Sequence, residues 1–198
     1  GKLILRPVFL ILGLLLTALA VVMLVVAALV WALNYEGSRV FVVPGALTFC
    51  VGGTVVFANH RTRAFRLSLR QAFVLTTTMW VTLPAFAALP FVFSDIPLGY
   101  TDAFFEAMSG LTTTGATVIV GLESVAYGLL LWRALLQWLG GIGIILTALL
   151  ILPVLGNSGM QMFRIEALDA YERPLSPSLS TGLLGLYIVL TALFALAL

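Results

Sequence analysis

Residues 102–118 read D-A-F-F-E-A-M-S-G-L-T-T-T-G-A-T-V, and this stretch decides the fold. Its first half predicts a short helix, because Thr101 or Asp102 can cap the first turn and the carboxylates of Asp102 and Glu106 lie near the positive end of the helix dipole. Ten residues at 1.5 Å each span only about 15 Å, half of a hydrocarbon core. We therefore expect a pore helix that stops near the middle of a membrane.

The residues after this helix predict a selectivity filter. Ser109 and Gly110 are expected to end the helix and support the segment that follows, with the negative end of the dipole facing the bilayer centre. Residues 112–118 form a poor helix sequence, since four threonine hydroxyls compete for backbone hydrogen bonds around Gly115, which can adopt a positive φ. Extended chain at that depth is tolerated where it lines a pore, so its oxygens are expected to replace a cation's hydration shell. The predicted ion-binding residues are Thr112, Thr113, Thr114, Gly115, Ala116 and Thr117.

The rest of the sequence places this stretch in a bilayer. Of 198 residues, 62% are hydrophobic and 9% are charged, which is far from the composition of soluble domains. Apolar runs long enough to cross a membrane lie at residues 7–33, 40–58, 71–93, 129–153 and 181–198. The first run is too long for a signal peptide. The predicted fold is an all-α integral membrane protein, with transmembrane helices, a re-entrant pore helix and an extended filter loop, arranged as in the M1-P-M2 repeat of potassium channels.

The charges predict an orientation. The connection after the second run is basic and contains no acid; it holds His60, Arg61, Arg63, Arg66 and Arg70. By the positive-inside rule this loop and the N-terminus are cytoplasmic, and residues 94–128 enter the membrane from the outside. Acidic residues on that outer side would raise the local cation concentration.

Other functions find little support in the sequence. The net charge of +2 is small and dispersed, so nucleic acid is not an expected partner. His60 and Ser109 suggest a hydrolase at first sight, but the predicted topology puts them on opposite sides of the membrane. The sequence shows no metal-ligand cluster and no nucleotide-binding motif. We therefore expect no enzyme, no catalytic residue and no bound cofactor.

The fourth apolar run carries several residues with two interpretations. Gly140, Gly141 and Gly143 predict either a gating hinge or close helix packing, and packing is favoured. Arg133 and Gln137 lie near the outer end of the run. They either anchor the helix at the interface or contact the pore-helix region, and the sequence does not choose between the two.

The tryptophans of the fourth run and the single cysteine have structural interpretations. Trp132 and Trp138 are either aromatic-belt anchors or packing residues, and Trp132 suits the belt better because it is nearer the interface. Cys50, the single cysteine, lies in an apolar run and is expected to be a buried thiol.

Residues 102–119, together with W-R-A-L-L-Q-W-L-G-G-I-G-I-I at 132–145 and I-L-P-V-L-G-N-S-G-M-Q-M-F-R-I-E at 151–166, resemble the Trk/Ktr/HKT potassium transporters, most closely their TrkH-type subunits. This resemblance implies four membrane–pore–membrane repeats around one pore, a homodimer, and a cytosolic nucleotide-binding regulator of the TrkA kind. It makes Gly115 the filter glycine of the first repeat and places K⁺, the transported ion, at Thr113, Thr114 and Gly115. Only the glycine of the potassium-channel signature is kept, which in the family accompanies weaker discrimination against sodium.

The resemblance also divides the chain. Residues 1–69 are expected to form an extra helix pair with a basic loop, 70–153 the first pore repeat, 154–180 a cytoplasmic linker and 181–198 the start of a second repeat. The last run has no polar flank, so we expect the chain to be part of a longer protein. Alternatives are a single-repeat homotetrameric channel and a non-conducting scaffold subunit. The expected location is a bacterial inner membrane, surrounded by lipid; channel and coupled transport are both left open.

Overall fold

The computed structural model describes residues 5–35, 37–60, 68–159, 182, 185–189 and 191–192. These residues form helices and connecting turns and contain no strand. In chain order the elements are α1 (Arg6–Ala32), α2 (Arg39–Asn59), α3 (Leu69–Ala87), α4 (Leu89–Val92), α5 (Tyr100–Leu111), a single 3₁₀ turn (Leu122–Ser124) and α6 (Tyr127–Gly159). The predicted all-α class is confirmed.

Within the described residues, four helical segments are long and apolar enough to cross a membrane: Arg6–Ala32, Arg39–Asn59, Arg70–Val92 and Tyr127–Ile145. The first three agree with the predicted runs to within one residue at each end. α6 continues six residues past the predicted end of the fourth run at 153, as far as Gly159. The predicted run at 181–198 and most of the linker at 154–180 lie outside the described residues.

The chain divides into two compact units, residues 1–141 and 142–198. The first unit holds α1 to α5, the loop after α5 and the N-terminal part of α6. The described part of the second unit consists of the rest of α6 and helical residues within 182–192. The candidate site described below lies in the first unit.

α1 and α2 form an antiparallel hairpin whose backbones approach closely. Gly52 allows this approach, because a Cβ atom there would lie 2.7 Å from the Thr17 hydroxyl and 3.0 Å from the Gly13 carbonyl. Small residues at helix contacts are the usual way that helices pack in lipid. The outward face of α2 carries Cys50, which is exposed in this chain. The expectation of a buried thiol is therefore wrong, since the buried residues of α2 do not include Cys50; they are Phe41, Pro44, Gly45, Thr48 and Gly52.

α3 begins at a capping box, which was not predicted. The Ser68 hydroxyl accepts from the Gln71 backbone N–H at 3.4 Å, and the Gln71 side-chain oxygen accepts from the Ser68 N–H at 2.8 Å. Reciprocal bonds of this kind satisfy N–H groups that have no partner inside the helix. The helix then runs to Ala87, and a break at Ala88 separates it from the short α4.

One hydrophobic core joins the helix pair to the segments around residues 112–119, the loop predicted as a filter and called the filter loop below. It includes Met23 and Val26 of α1, Phe41 of α2 and Phe91 of α4, and it continues into α5 and α6. Trp132 of α6 is fully buried there and donates from its indole nitrogen to the Ala87 carbonyl at 3.0 Å. The prediction that Trp132 is an interfacial belt residue is therefore wrong, because partners from α2 and α3 enclose the ring. Trp138, which was predicted to be either a belt anchor or a packing residue, is half-buried.

Candidate functional site: a short helix and the filter loop

α5 has the length expected of a pore helix. Its twelve residues span about 18 Å, too short to cross a hydrocarbon core of about 30 Å. The N-cap is Gly99, and no side chain caps the helix, so the prediction of a cap at Thr101 or Asp102 is wrong. Asp102 does lie in the first turn, where its charge suits the helix dipole. Glu106 lies one turn further on, and its carboxylate is turned away from the helix N-terminus towards the filter loop.

The chain leaves the helix through two residues with left-handed backbone. α5 ends at Leu111, just beyond the Ser109–Gly110 pair expected to end it. Thr113 has φ +59° and Gly115 has φ +75°. The backbone N–H of Thr114 donates to the Ser109 carbonyl at 3.0 Å, which folds the chain back over the last turn.

Residues 114–119 have no regular secondary structure. The prediction that the threonine run leaves the helix is confirmed, and so is the positive φ at Gly115. The positive φ at Thr113 was not predicted, since nothing in a threonine side chain favours it. Thr113, Thr114 and Gly115 are exposed in this chain. Thr112 is half-buried, and its hydroxyl donates to the Met108 carbonyl at 2.8 Å.

Ser109 ties the middle of the loop to the pore helix. Its hydroxyl is nearly buried and donates to the carbonyl oxygen of Ala116 at 2.7 Å. That bond directs the Ala116 carbonyl towards α5. Of the predicted ion ligands, Ala116 therefore has its backbone oxygen engaged within the protein.

Glu106 is the centre of the site. Its side chain is completely inaccessible to solvent. Oxygen Oε1 accepts from the Thr117 hydroxyl at 2.6 Å and from the backbone N–H groups of Val118 and Ile119 at 2.6 Å and 3.3 Å. Oxygen Oε2 forms an ion pair with a guanidinium nitrogen of Arg133. One carboxylate thus fixes three consecutive residues of the loop to α5 and α6.

The ion pair explains how a carboxylate can be buried here. An unpaired buried charge is strongly unfavourable, whereas one that is paired and hydrogen-bonded on both oxygens is tolerated. Arg133 also donates to the Thr117 hydroxyl at 2.9 Å. Of the two interpretations of Arg133, the structure supports contact with the pore-helix region. Thr117, predicted as an ion ligand, has its hydroxyl bound to Glu106 and Arg133.

α6 lies against the loop at two further points. The amide nitrogen of Gln137 would be 3.2 Å from a Cβ atom at Gly115, so this side chain also reaches the filter region. A Cβ atom at Gly140 would lie only 2.0 Å from the Leu111 carbonyl oxygen. Gly140 is therefore a site of close packing between α6 and the end of α5. Gly141 and Gly143 are half-buried, and their part in a hinge stays a prediction.

The hydrolase interpretation gains no support from the geometry. The Ser109 hydroxyl is bound to Ala116, and His60 lies at the end of α2 with its ring stacked on Phe57. Within the described residues, no three His, Cys, Asp or Glu side chains come together as a metal site. The sequence did contain a signal for the arrangement that the structure shows, since an acid and a base inside apolar segments, Glu106 and Arg133, are expected to pair.

The first unit combines helices that are long and apolar enough to cross a membrane with a half-length helix, a non-helical loop and a buried ion pair behind that loop. These features define a membrane protein with a pore-loop-like segment. Residues 37–198 match the TrkH family, described as cation transport proteins. The chain belongs to this family.

Relatives with this sequence pattern are potassium uptake proteins. The chain is 42% identical over 165 residues to the Trk system potassium uptake protein TrkH of Salmonella typhimurium, covering 81% of this chain and 34% of that protein. It is 39% identical over 181 residues to TrkH of Escherichia coli K12, covering 88% and 37%. The crystal structure of the potassium transporter TrkH from Vibrio parahaemolyticus superimposes with a TM-score of 0.78 at 39% identity, covering 97% of this chain and 39% of that one. The chain thus spans less than half of the length of these relatives.

Proposed function

We propose that this chain supplies one filter segment of a potassium uptake protein of the Trk system, and that the carbonyl oxygens of Thr113, Thr114 and Gly115 bind the ion. The observation that carries the proposal is the set of hydrogen bonds that Glu106 accepts from residues 117–119, which fixes the outer part of the loop. A loop held from behind can present oxygens at a fixed spacing, and this is what replacement of a hydration shell requires.

The hydrogen bonds also narrow the set of ligands. The Ala116 carbonyl accepts from Ser109, and the Thr117 hydroxyl is bonded to Glu106 and Arg133. Residues 113–117 are all exposed, and among them Thr113, Thr114 and Gly115 are the ones whose backbone oxygens we assign to the ion. The C-terminal end of α5 lies directly before them, and the partial negative charge of a helix C-terminus attracts a cation.

The assembly and the surroundings are part of the same proposal. Three further filter segments would complete the ion site. From the family resemblance we expect a homodimer in lipid, a TrkA-like cytosolic regulator, and a bacterial inner membrane with the N-terminus in the cytoplasm. The membrane potential and the ion gradient would drive uptake.

Rubidium flux into liposomes tests the proposal, with the natural protein that carries this sequence and its Gly115→Ser variant. A side chain at φ +75° strains the loop and meets Gln137, so we expect flux to fall at least about tenfold or sodium to compete much better. Gly121→Ser is the matched control, since Gly121 has φ +74° but lies beyond the loop next to the 3₁₀ turn. Its flux should stay near that of the unaltered protein.

Two results would contradict the proposal. Equal flux and equal selectivity in Gly115→Ser and the unaltered protein would remove Gly115 from the ion path. Absence of flux in the unaltered protein, reconstituted with its regulator, would favour the non-conducting scaffold.

A further inference from the structure

Two neighbouring rows of residues on α6 have different partners. Positions four apart lie on the same face of a helix, and each step of one residue turns the face by about 100°. Arg133 and Gln137 form one row, which faces the filter loop: Arg133 pairs with Glu106, and Gln137 lies against Gly115. The adjacent row contains Gly128, Trp132, Leu136 and Gly140.

The second row, which we call the α6 packing row, contacts other helices along its whole length. At its outer end, a Cβ atom on Gly128 would lie 3.0 Å from Val30 and 3.1 Å from Phe41, so the N-terminal helix pair touches α6 there. At its inner end, a Cβ atom on Gly110 would lie 3.0 Å from Leu136, and Gly140 meets Leu111. The row therefore connects the helix pair to the end of the pore helix.

Trp132 fixes the rotation of α6 in the middle of this row. Its ring packs edge-to-face on Phe41, with centroids 6.1 Å apart and planes at 67°. Its indole N–H donates to Ala87 of α3. The aromatic contact on one side and the hydrogen bond on the other define the orientation of the ring. The next residue along α6 is Arg133.

We propose that Trp132 is a positioning residue for the filter, through which Phe41 of the N-terminal helix pair sets the rotation of α6 and so the placement of Arg133 on Glu106. This inference rests on the proposed function. It gives the helix pair a role in ion selectivity that acts through α6. Because Arg133 pairs with Glu106 and donates to Thr117, a rotation of α6 that moved Arg133 would weaken the bonds that hold residues 117–119.

The test measures the potassium-to-sodium selectivity ratio, by competition of each ion with rubidium uptake into liposomes. Trp132→Phe keeps an aromatic ring but removes the hydrogen bond to Ala87, and Phe41→Leu removes the aromatic partner while keeping apolar volume. We expect each variant to lower the ratio by about three- to tenfold, which lies in the lower part of the range that coupling energies between contacting residues give. If one of the two does not fold, the other carries the same expectation.

The Arg133→Gln variant separates positioning from a general loss of packing. In that background the ion pair is already absent, so adding Trp132→Phe should change the ratio by less than about twofold. The matched control is Leu12→Ala, which removes a buried side chain in the cluster that also contains Leu75. Leu12 precedes Val30 by eighteen residues, which places it about 27 Å away along α1. Leu12→Ala should lower thermal stability and leave the ratio unchanged.

Each outcome is decisive. If Trp132→Phe and Phe41→Leu keep the ratio of the unaltered protein while Arg133→Gln loses it, the inference is wrong and the proposed function stands. If Leu12→Ala lowers the ratio as much as Trp132→Phe does, the effect is one of stability and the inference is also wrong. If the unaltered protein transports no cation, the proposed function and this inference fail together.

Discussion

Oxygen Oε1 of Glu106 accepts a hydrogen bond from the backbone N–H of Val118 at 2.6 Å, across twelve residues of sequence. The bond joins the middle of a short helix to the far side of the loop that follows it. A carboxylate is a stronger acceptor than a neutral oxygen, and this one also has a cationic partner in Arg133. The loop between the two bonded residues is therefore held at both ends, by its covalent link to α5 and by Glu106.

Glu106→Gln should destabilise the protein and relax its selectivity. The variant keeps the shape and one acceptor oxygen but leaves Arg133 without its ion pair, and loss of one partner of a buried pair costs about 3 kcal/mol. Unfolding by denaturant in detergent micelles measures the free energy, and the selectivity ratio is measured in liposomes. Glu123→Gln is the control, since Glu123 is exposed in the 3₁₀ turn and should change neither value. An unaffected unfolding free energy in Glu106→Gln would show that the ion pair contributes nothing.

Ser109→Ala should lower selectivity with a small effect on stability. The variant removes the hydroxyl that directs the Ala116 carbonyl towards α5, a bond of the kind that contributes about 1 kcal/mol. We expect the selectivity ratio to fall about threefold, because the carbonyl next to the ion-binding residues is then free to turn. Ser124→Ala removes a comparable bond, from the Ser124 hydroxyl to the Gly121 carbonyl at 2.8 Å, in an exposed turn. Similar ratios in the two variants would contradict the role of Ser109.

Gly140→Ala should separate α6 from the pore helix. The added methyl group would lie 2.0 Å from the Leu111 carbonyl, and backbone atoms on both sides would have to move. Overpacking of this kind costs about 1–3 kcal/mol, so the midpoint of thermal unfolding should fall and rubidium flux should decrease. The control is Gly53→Ala in α2, where a Cβ atom meets nothing within 4 Å and alanine favours the helix. If Gly140→Ala is as stable as Gly53→Ala, the close approach is not required.

Local features of the site were predictable from the sequence. A helix of about ten residues was expected between a cap at Thr101 or Asp102 and an end at Ser109–Gly110, and α5 runs from Tyr100 to Leu111. A short amphipathic stretch before a run of threonines has few other possible structures in a membrane. The positive φ of Gly115 was expected for the same reason. These predictions depend on residues close together in the chain.

Features that depend on distant residues were not predictable. Trp132 was assigned to the interface by its position along the helix, but its burial is decided by Ala87, 45 residues earlier, and by Phe41. For Arg133 the sequence left two interpretations, and only the fold brings it onto Glu106, 27 residues earlier. Thr113 has a left-handed backbone because the turn after α5 requires it, which its own side chain does not indicate.

The central claim is that the loop binds a cation with the backbone oxygens of Thr113, Thr114 and Gly115 while Glu106 holds residues 117–119. Anomalous diffraction from crystals of the natural protein grown in rubidium salt tests this most directly. The account predicts a rubidium peak within coordination distance of those carbonyl oxygens, with the Glu106 bonds to Val118 and Thr117 intact. A rubidium peak bound instead by Ala116 and Thr117, or an ordered filter with no peak at residues 113–115, would contradict it.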